Sequence, residues 1–535
     1  MKYIFNTTDA QFSLFDQENE DLYRMFKNNI VGGPSIIFNR YHEKDVTKIR
    51  GGKTCKKILG LDANALYLWA IMQEMPTGDF KRPLIKKSVD HYVEQIKNDK
   101  LFGFVEVDIH VPEHLKDYFS EMSPIFKNTE IKYADLTDDM KAKQKSKSWK
   151  TRCLIGSMFG EKILLYTPLL KWYLNHGLVI TKVHQIVQYT PEKCFEKFGD
   201  DVSNARRLGD VDSSKAIIAD TMKLFGNSSY GKTVTNKEKH TNVTYCDDAK
   251  IGEKVNDPFY KDLNELHNQY EVISTKKKVT LDLPIQIGVA VYSLAKLRML
   301  QFHFDCLDKY VDRSDYELVE MDTDSSYMAI SGLTFDDLIK PELKEEFQKD
   351  KYNWFPRDDT KEHAAFDKRK PGLFKDEFVG DGIIALCSKS YFCWSDNKSK
   401  FSSKGVNKRT NNITKELYLD SLHGTDAIVT NKGFRRILPF LKPGIMEFEI
   451  EAEFMHEFLR NRSKGFAYTP IIASGYSACV LHYIENNKEC KDGDMLLLDV
   501  GAEYANYSSD MTRTIPVNGR FSDRQKAVYD AVLRV

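Results

Sequence analysis

The fold of this chain is decided by one stretch, Glu317-Leu318-Val319-Glu320-Met321-Asp322-Thr323-Asp324-Ser325-Ser326-Tyr327-Met328-Ala329-Ile330. Apolar and polar residues roughly alternate on both sides of Asp322-Thr323-Asp324, which is the period of a half-buried β-strand. The acidic triplet therefore lies at the tip of a predicted β-hairpin, where Asp is a favoured turn former. Carboxylates at such a tip suit divalent cations, because hard cations bind oxygen ligands. A solvated acidic turn is the alternative, so the rest of the chain has to decide between the two.

Length and composition indicate a globular protein of several domains. The chain has 535 residues, of which 41% are hydrophobic and 29% charged, enough for about two to four domains. Its nine cysteines are scattered without any C-x-x-C pair, which predicts free thiols in a reducing compartment. The first residues do not form a signal peptide, and no apolar run is long enough to span a bilayer. We therefore expect an intracellular protein that is not secreted and has no membrane partner.

The net charge is zero, with 78 basic and 78 acidic residues, and this balance alone argues against a nucleic-acid partner. Basic clusters nevertheless occur in the first four fifths of the chain, and such runs suit phosphate backbones. Each cluster alone is also compatible with a solvated helix face or loop. The clusters are Lys141, Lys143, Lys145, Lys147, Lys150 and Arg152, then Lys276, Lys277 and Lys278, then Lys398, Lys400, Lys404, Lys408 and Arg409.

Another carboxylate stands far upstream, at the end of a predicted apolar strand. The strand, Lys57-Ile58-Leu59-Gly60-Leu61-Asp62, leads into a predicted buried helix that contains Tyr67. An Asp at such a junction is typical either of a metal ligand or of a helix N-cap.

A second predicted helix runs from Ser213 through Lys232 and carries a polar face. Lys223, Asn227 and Tyr230 fall at positions i, i+4 and i+7, which lie on one face of a helix. A core helix would place Leu, Ile or Val there, so a cation, an amide and an aromatic hydroxyl together favour a nucleotide-binding surface. A partly exposed helix with a hydrogen-bonded Tyr is the alternative.

Beyond the acidic stretch, Leu386–Trp394 is predicted as a single strand with an exposed face. Lys389 and Tyr391 lie on that face, and Lys404 follows within a basic loop.

Taken in chain order, these groups of residues resemble the motifs of the family B DNA polymerases. The usual forms of the motifs are D-x-x-S-L-Y-P, K-x-x-x-N-S-x-Y-G, Y-x-D-T-D-S and K-x-Y, and the resemblance covers roughly residues 20–410. Long regions after Asp62 and after Gly231 point to the protein-primed branch, found in viruses, linear plasmids and Polinton-like mobile elements. Ile30-Val31-Gly32-Gly33 is similar to the Y-x-G-G linker of that branch. The chain departs from the motifs at four positions: Ile30, Ala65, Leu68 and Glu320.

The resemblance implies a two-metal reaction, in which a primer 3′-hydroxyl attacks the α-phosphate of a deoxynucleoside triphosphate. Asp62, Asp322 and Asp324 are the implied catalytic residues and ligands of Mg²⁺. Tyr67 is the implied steric gate against a ribose 2′-hydroxyl, within a nucleotide-binding set of Tyr67, Lys215, Lys223, Asn227 and Tyr230. The implied DNA-binding residues are Gly32, Gly33, Gly231, Lys389, Tyr391 and Lys404.

The resemblance also implies partners and a compartment. The partners are a DNA template-primer, deoxynucleoside triphosphates and a terminal priming protein, and the compartment is the nucleus or a viral replication site. Because the family's exonuclease carboxylates should precede Asp62 and only 61 residues do so, we expect no 3′–5′ exonuclease.

From about Asn431 the chain resembles a different family, the Xaa-Pro aminopeptidases with their pita-bread fold. The residues that carry the resemblance include Gly465–Gly475, Val480–Tyr483, Leu496–Gly501 and Ser509–Thr514. It implies that Asp499 and Asp510 correspond to two ligands of a dinuclear metal site, and His482 to a histidine on the substrate side. The family's other ligands, a His and two Glu, are expected after Val535. Mn²⁺ or Zn²⁺ would bind only if the site were completed, so we expect no active peptidase in this stretch.

The predicted fold class is α+β: a family B palm and fingers with an antiparallel palm sheet and a truncated thumb, followed by an incomplete pita-bread domain. The predicted boundaries are 1–50 for a remnant linking exonuclease and polymerase parts, 51–410 for palm and fingers with two insertions, 411–430 for the junction, and 431–535 for the aminopeptidase-like part. The predicted function is template-directed DNA synthesis without proofreading. The alternatives are an inert nucleic-acid-binding fragment of a truncated fusion and a metallo-aminopeptidase.

Overall fold

The structure, a computed structural model, describes residues 2–142, 144, 146–266, 269–403, 412–424, 440–460, 463–504 and 507–532. The chain divides into two compact units. The first holds the described residues of 1–235, 281–405 and 413–428, and the second holds those of 236–280, 406–412 and 429–535. Lys404 lies outside the described residues, as do residues 411 and 425–430 of the predicted junction.

The centre of the first unit is a five-stranded antiparallel sheet. Its strands follow the order Ser35–Ile37, Tyr316–Asp322, Ser325–Ile330, Lys57–Ala63 and Phe374–Gly380. The acidic stretch therefore forms the predicted hairpin, and its second strand is buried along its whole length. A sheet strand covered on both faces needs the apolar residues that flank the acidic triplet.

A long helix, Ile285–Gln301, belongs to the core of the same unit and continues as a π-helical turn, Phe302–Leu307, into Asp308–Tyr310. It packs against the helices Glu20–Asn28, Leu66–Ile71 and Thr167–Asn175. Nearly all of its residues are buried, because this helix is apolar on every side.

Two further sheets and a ribbon complete the strands of the first unit. One sheet has the order Met75–Lys81, Val179–Glu192, Gly103–His110 and Phe159–Tyr166, and the ribbon pairs Ile125–Lys132 with Lys150–Ser157. The other sheet has the order Ser399–Ser403, Ser390–Trp394, Gly382–Cys387 and Tyr41–Glu43. The remaining α-helices of the unit are Lys2–Phe5, Val89–Lys97, Asp138–Ala142, Glu196–Val211, Ala216–Ser228, Lys344–Trp354, Lys361–Asp367 and Lys415–Leu422.

The prediction of one strand over Leu386–Trp394 is wrong. The segment crosses from the strand Gly382–Cys387 to the strand Ser390–Trp394, and Lys389 lies in the tight turn between them with φ +62°. A left-handed turn residue is usually Gly or Asn, so a Lys at this position gives no turn signal in the sequence.

The predicted helix Ser213–Lys232 is shorter than expected. A 3-10 turn, Ser213–Lys215, precedes the α-helix Ala216–Ser228, and a second 3-10 turn, Gly231–Val234, follows it. Lys215 therefore lies before the α-helix rather than on it. Within the helix Ala216–Ser228 only Gly226 is buried, and Ile217 is 73% exposed. The helix therefore packs loosely on the rest of the unit.

The second unit contains two separate stretches of chain. Residues 236–280 form a sheet with the order Thr241–Cys246, Gln269–Thr275 and Tyr260–Leu266, together with the helix Asp248–Val255. The later stretch has the helices Glu447–Arg460 and Asp523–Val532 and two sheets. One sheet has the strand order Ile471–Ser474, Met495–Val500 and Met511–Pro516. The other has the order Gly465–Phe466, Ala502–Tyr504 and Tyr507–Ser508.

The architecture is mixed α+β with antiparallel sheets, as the sequence predicts. No helix in the described part of the chain is both long enough and apolar enough to cross a membrane.

Candidate polymerase active site

Three carboxylates meet where strands of the five-stranded sheet end. Ser325 is the register partner of Asp322 on one side and of Asp62 on the other, so Asp62 and Asp322 lie on either side of one strand. Asp324 completes the turn, and its carbonyl oxygen accepts a hydrogen bond of 2.7 Å from the Ala63 N–H. Pairing of distant strands thus brings together the three residues that the resemblance implies as metal ligands.

The electrostatics of the group are those of a carboxylate cluster. Burial, and after it the negative charge of Asp62, raises the pKa of Asp324 to about 7, with smaller contributions from Asp322 and Glu377. Like charges at short range disfavour ionisation unless a cation is near. The Asp324 carboxyl therefore fits a position beside bound divalent cations.

The interpretation of Asp62 as a helix N-cap is wrong. The helix after it begins at Leu66, and its N-cap residue is Ala65, in the left-handed region with φ +46°. Asn64 holds this turn by donating to the Lys370 carbonyl at 2.9 Å. The Asp62 carboxylate is thus free to face the acidic turn.

Two lysines place their ammonium groups on these carboxylates. Lys389 Nζ lies 2.7 Å and 2.8 Å from the two carboxylate oxygens of Asp322, and Lys375 Nζ lies 3.0 Å from Asp62 Oδ2. Both lysine side chains remain partly exposed. Sequence reasoning found Lys389 but missed Lys375, which becomes a neighbour of Asp62 only through strand pairing.

Among the residues that the structure describes, no three His, Cys, Asp or Glu side chains form a group that could hold a metal ion. An open set of carboxylates is nevertheless what Mg²⁺ uses when substrate phosphates and waters supply the remaining ligands. The donors present therefore fit a metal that arrives with its substrate.

Glu320 is the most unusual member of the acidic hairpin. Its side chain is fully buried, and neither carboxylate oxygen has a hydrogen-bond partner within the described residues. Burial, with a smaller effect of Asp322, raises the pKa of Glu320 to about 8. A largely neutral carboxyl group thus stands where the family motif has a Tyr.

A cluster of three tyrosines lies beside the carboxylates. The rings of Tyr67 and Tyr230 are 4.6 Å apart, and Tyr292 meets Tyr230 edge-on at 5.1 Å and Tyr67 at 6.1 Å. Burial raises the pKa of Tyr67, and the charges of Asp324 and Asp322 add to the effect. The Tyr67 ring is therefore fixed between its two neighbours and faces the acidic turn.

Tyr292 was missed from sequence. The available signal was that Gly288, Tyr292 and Lys296 recur every four residues on a helix that is mostly apolar.

The predicted nucleotide-binding residues of the helix Ala216–Ser228 are not brought onto the carboxylates. Lys215, Lys223 and Asn227 are all exposed, whereas Tyr230 is buried in the tyrosine cluster. Gly226 suits a close approach to the helix Glu196–Val211, since a Cβ there would lie 3.2 Å from Val202 Cγ1. The three exposed side chains remain accessible to a ligand.

The predicted DNA-binding residues occupy different surroundings. Tyr391 packs its ring 5.0 Å from that of Tyr327, and the two hydroxyl oxygens are 3.3 Å apart. A Cβ at Gly231 or at Gly32 would meet no atom within 4 Å, so packing does not require glycine at either position. Gly33 is different, since a Cβ there would lie 2.7 Å from Thr323 Oγ1.

The second unit holds the other predicted carboxylate pair. Tyr468 donates its hydroxyl hydrogen bond to Asp499 Oδ1 at 2.7 Å, and its oxygen also lies 3.1 Å from Asp510 Oδ1. Asp499 lies in the strand Met495–Val500, and Asp510 directly precedes the strand Met511–Pro516 that pairs with it, so the two carboxylates come close together. His482 is exposed, with φ +53°.

A family model described as DNA polymerase type B, organellar and viral, matches residues 14–303, more than half of the chain. The chain belongs to this polymerase family. Membership implies a nucleotidyltransferase-type enzyme that acts on DNA and nucleotides and depends on metal ions.

In this polymerase, residues 426–535 match a second family, described as Metallopeptidase family M24. The Xaa-Pro aminopeptidase of Haemophilus influenzae is 42% identical over 106 residues, which cover 20% of this chain and 25% of that protein. The Xaa-Pro aminopeptidase of Escherichia coli K12 is 43% identical over 105 residues, which cover 20% of this chain and 24% of that protein. The solved structure of proline aminopeptidase P II from Yersinia pestis is 46% identical over 18% of this chain and 23% of that chain, with a TM-score of 0.18.

The chain thus spans about a quarter of the length of these aminopeptidases. Both resemblances drawn from the sequence are confirmed.

The buried Lys296 gives the first unit of this polymerase a pH-dependent stability. Burial lowers the pKa of Lys296 to about 7, while an unfolded Lys keeps a pKa of about 10.4. Between these values the unfolded chain binds more protons, so the free energy of unfolding rises with pH, by up to about 1.4 kcal/mol per pH unit. We expect Lys296→Met to remove this rise.

The measurement is urea unfolding at pH 7, 8 and 9, followed by tryptophan fluorescence. All five tryptophans belong to the first unit. Arg298→Met is the matched control, since it removes a buried cation of the same helix whose pKa burial lowers only to about 10, above the pH range of the measurement. Equal pH slopes for the parent protein and Lys296→Met would contradict the prediction.

Proposed function

We propose that this chain catalyses template-directed DNA synthesis, by transferring deoxynucleotides to the 3′-hydroxyl of a primer strand or to a protein primer. The observation that supports it most is the convergence of Asp62, Asp322 and Asp324 on the fixed ring of Tyr67. Carboxylates that bind metal and an aromatic wall for the sugar are the two parts that nucleotidyl transfer needs in one place.

Asp62 and Asp322 would bind Mg²⁺ between them, with Asp324 beside them. When bound, the ions supply Lewis-acid stabilisation for the attacking 3′-oxygen and the leaving pyrophosphate. The contribution of the chain is to hold the carboxylates on rigid strands, which keeps their positions fixed as charge develops on the phosphate.

Lys389 and Tyr391 would hold the primer strand. Lys389 is anchored at Asp322 through the end of a flexible, partly exposed side chain, so its ammonium group can turn to a backbone phosphate. The Tyr391 ring is held by Tyr327. Lys215, Lys223 and Asn227 are exposed on or directly before the helix Ala216–Ser228, and they would bind the triphosphate and stabilise charge on the pyrophosphate.

Tyr67 would exclude ribonucleotides. Its ring is held between Tyr230 and Tyr292, so it cannot readily move aside for a 2′-hydroxyl. We expect Tyr67→Val to lower the preference for deoxynucleotides by about 10–200-fold, the range for one small group in a tight pocket. The measurement is kcat/KM for dCTP and CTP, which differ only in the 2′-hydroxyl, on one primed template.

Tyr67→Phe is the control for that experiment, because it keeps the ring and removes only the hydroxyl. It should retain the discrimination. A Tyr67→Val variant that still discriminates as well as the parent protein would show that another residue is the gate.

The test of the proposed function is extension of a short DNA primer on templates of different sequence, with Mg²⁺ and four deoxynucleoside triphosphates. Products whose sequence follows the template support DNA synthesis. Retention of labelled template without any extension would instead indicate a nucleic-acid-binding fragment. The priming protein and the compartment, nucleus or viral replication site, follow from the family resemblance alone.

We do not propose peptidase activity for the second unit. Two carboxylates joined through the Tyr468 hydroxyl fall short of the three or more protein ligands usual for catalytic Zn²⁺.

A further inference from the structure

The segment Asn29–Pro34 runs as a strap between four elements of the first unit. Asn29 Oδ1 accepts a hydrogen bond of 3.1 Å from the Leu164 N–H, and the Ile30 carbonyl accepts one of 3.0 Å from Asn128. The Val31 carbonyl accepts one of 2.5 Å from Lys296 Nζ. At its far end the Pro34 carbonyl accepts one of 2.8 Å from the Thr323 N–H.

This far end touches the turn between the two hairpin carboxylates. Thr323 has φ +57°, a conformation that costs a β-branched residue free energy and persists only where neighbours enforce it. Gly33 packs directly on the Thr323 side chain, since a Cβ at Gly33 would lie 2.7 Å from its Oγ1 and 2.9 Å from its Cβ. Gly33 and Pro34 therefore hold Thr323 from the side chain and from the backbone.

Lys296 fastens the middle of the strap. Its residue is 8% exposed, and its amino group is directed to the carbonyls of Val31 and, at 3.4 Å, of Tyr292. Burying a lysine is costly unless its donors are used. A buried amino group that binds a loop carbonyl suits a role in holding that loop.

We propose that Lys296 is a positioning residue for DNA synthesis: it holds the strap Asn29–Pro34 so that Gly33 and Pro34 set the turn carrying Asp322 and Asp324. This proposal rests on the proposed function, because the position of Asp322 and Asp324 matters for catalysis only if these carboxylates bind the metal ions of DNA synthesis. It also assigns Gly33 a role in supporting the turn, beyond the DNA contact that the resemblance implies.

The test compares the parent protein with Lys296→Met, Lys296→Arg and Arg298→Met. Two quantities are measured: the Mg²⁺ concentration for half-maximal single-turnover primer extension, and the binding of Mn²⁺ alone, from the electron paramagnetic resonance signal of the free ion. Residues that orient metal ligands typically change metal affinity by about 10–100-fold. We expect Lys296→Met to raise the Mg²⁺ requirement and weaken Mn²⁺ binding by at least about 10-fold.

Lys296→Arg keeps a donor for the Val31 carbonyl, so its Mg²⁺ requirement and Mn²⁺ affinity should be close to those of the parent protein. Arg298 donates to the carbonyls of Gly372 and Asn353 rather than to the strap, so Arg298→Met should lower thermal stability while the metal requirement stays the same. A Lys296→Met protein that folds and keeps both the parent Mg²⁺ requirement and the parent Mn²⁺ affinity would overturn the proposal.

If Lys296→Met does not fold, Gly33→Ala tests the same support from the other end. It should raise the Mg²⁺ requirement as well, and an unchanged requirement would overturn the proposal. Failure of the parent protein to extend any primer refutes the proposed function instead. In that case the Mn²⁺ titration of the variants still decides whether Lys296 and Gly33 position the carboxylates.

Discussion

Asp322→Asn is expected to slow primer extension by at least about 10³-fold, which corresponds to about 4 kcal/mol of lost transition-state stabilisation. Asn has nearly the same shape, so the hairpin should persist while one full negative charge disappears from the carboxylate group. That charge would bind Mg²⁺ during nucleotide transfer, and it is also the partner of Lys389 at 2.7 Å. The measurement is the single-turnover rate at saturating deoxynucleotide and Mg²⁺.

Asp376→Asn is the matched control. Asp376 lies on the neighbouring strand Phe374–Gly380, opposite Leu61 and one position beyond Lys375, and it is exposed. The same substitution there should change the rate by less than about twofold, as exposed sites outside special features usually do. Comparable losses in both variants, or an unimpaired Asp322→Asn protein, would remove Asp322 from the catalytic group.

Glu447→Ala is expected to destabilise the later part of the second unit by about 3–5 kcal/mol, the usual cost of removing one partner from a buried charged network. Glu447 is fully buried at the start of the helix Glu447–Arg460. Its carboxylate accepts hydrogen bonds from four donors. They are the Ser474 N–H at 2.6 Å, Ser474 Oγ at 2.7 Å, Tyr483 Oη at 2.7 Å and the Lys488 N–H at 2.9 Å. Alanine would remove the acceptor of all four donors, and the Tyr483 hydroxyl would keep only its longer contact of 3.4 Å to Asn487 Oδ1.

Amide hydrogen exchange at Ser474 and Lys488 measures this effect locally, which matters in a chain with two units. We expect their protection to fall by about 10²–10³-fold, since about 1.4 kcal/mol corresponds to a factor of ten. Glu453→Ala, at a partly exposed position of the same helix, should change protection by less than about threefold. Equal effects of the two substitutions would show that the Glu447 network does not stabilise this region.

The acidic hairpin and the strand that ends at Asp62 could be predicted from sequence because their signals are local. Alternation of apolar residues around Asp322-Thr323-Asp324 predicts the hairpin correctly. The order of the motifs then connects Asp62 to it, and the register through Ser325 agrees with that connection.

Other parts of the site have no local signal. Lys375 and Glu377 become neighbours of the carboxylates only through the pairing of Phe374–Gly380 with Lys57–Ala63. Tyr292 lies in a helix that is buried on nearly all sides, where periodicity cannot identify a functional face. The turn at Lys389 was missed because a left-handed lysine has no Gly, Asn or Pro to mark it.

The strand order of the five-stranded sheet also has a consequence for synthesis of the chain on the ribosome. Ser35–Ile37 pairs with Tyr316–Asp322, and Lys57–Ala63 pairs with Ser325–Ile330 and with Phe374–Gly380. Every partner of the two early strands is translated late, and contacts so distant in sequence form slowly. Until then the apolar strand Lys57–Ala63 would present unpaired edges, which promote aggregation. Yield from a recombinant host should therefore depend on chaperone supply and on growth temperature.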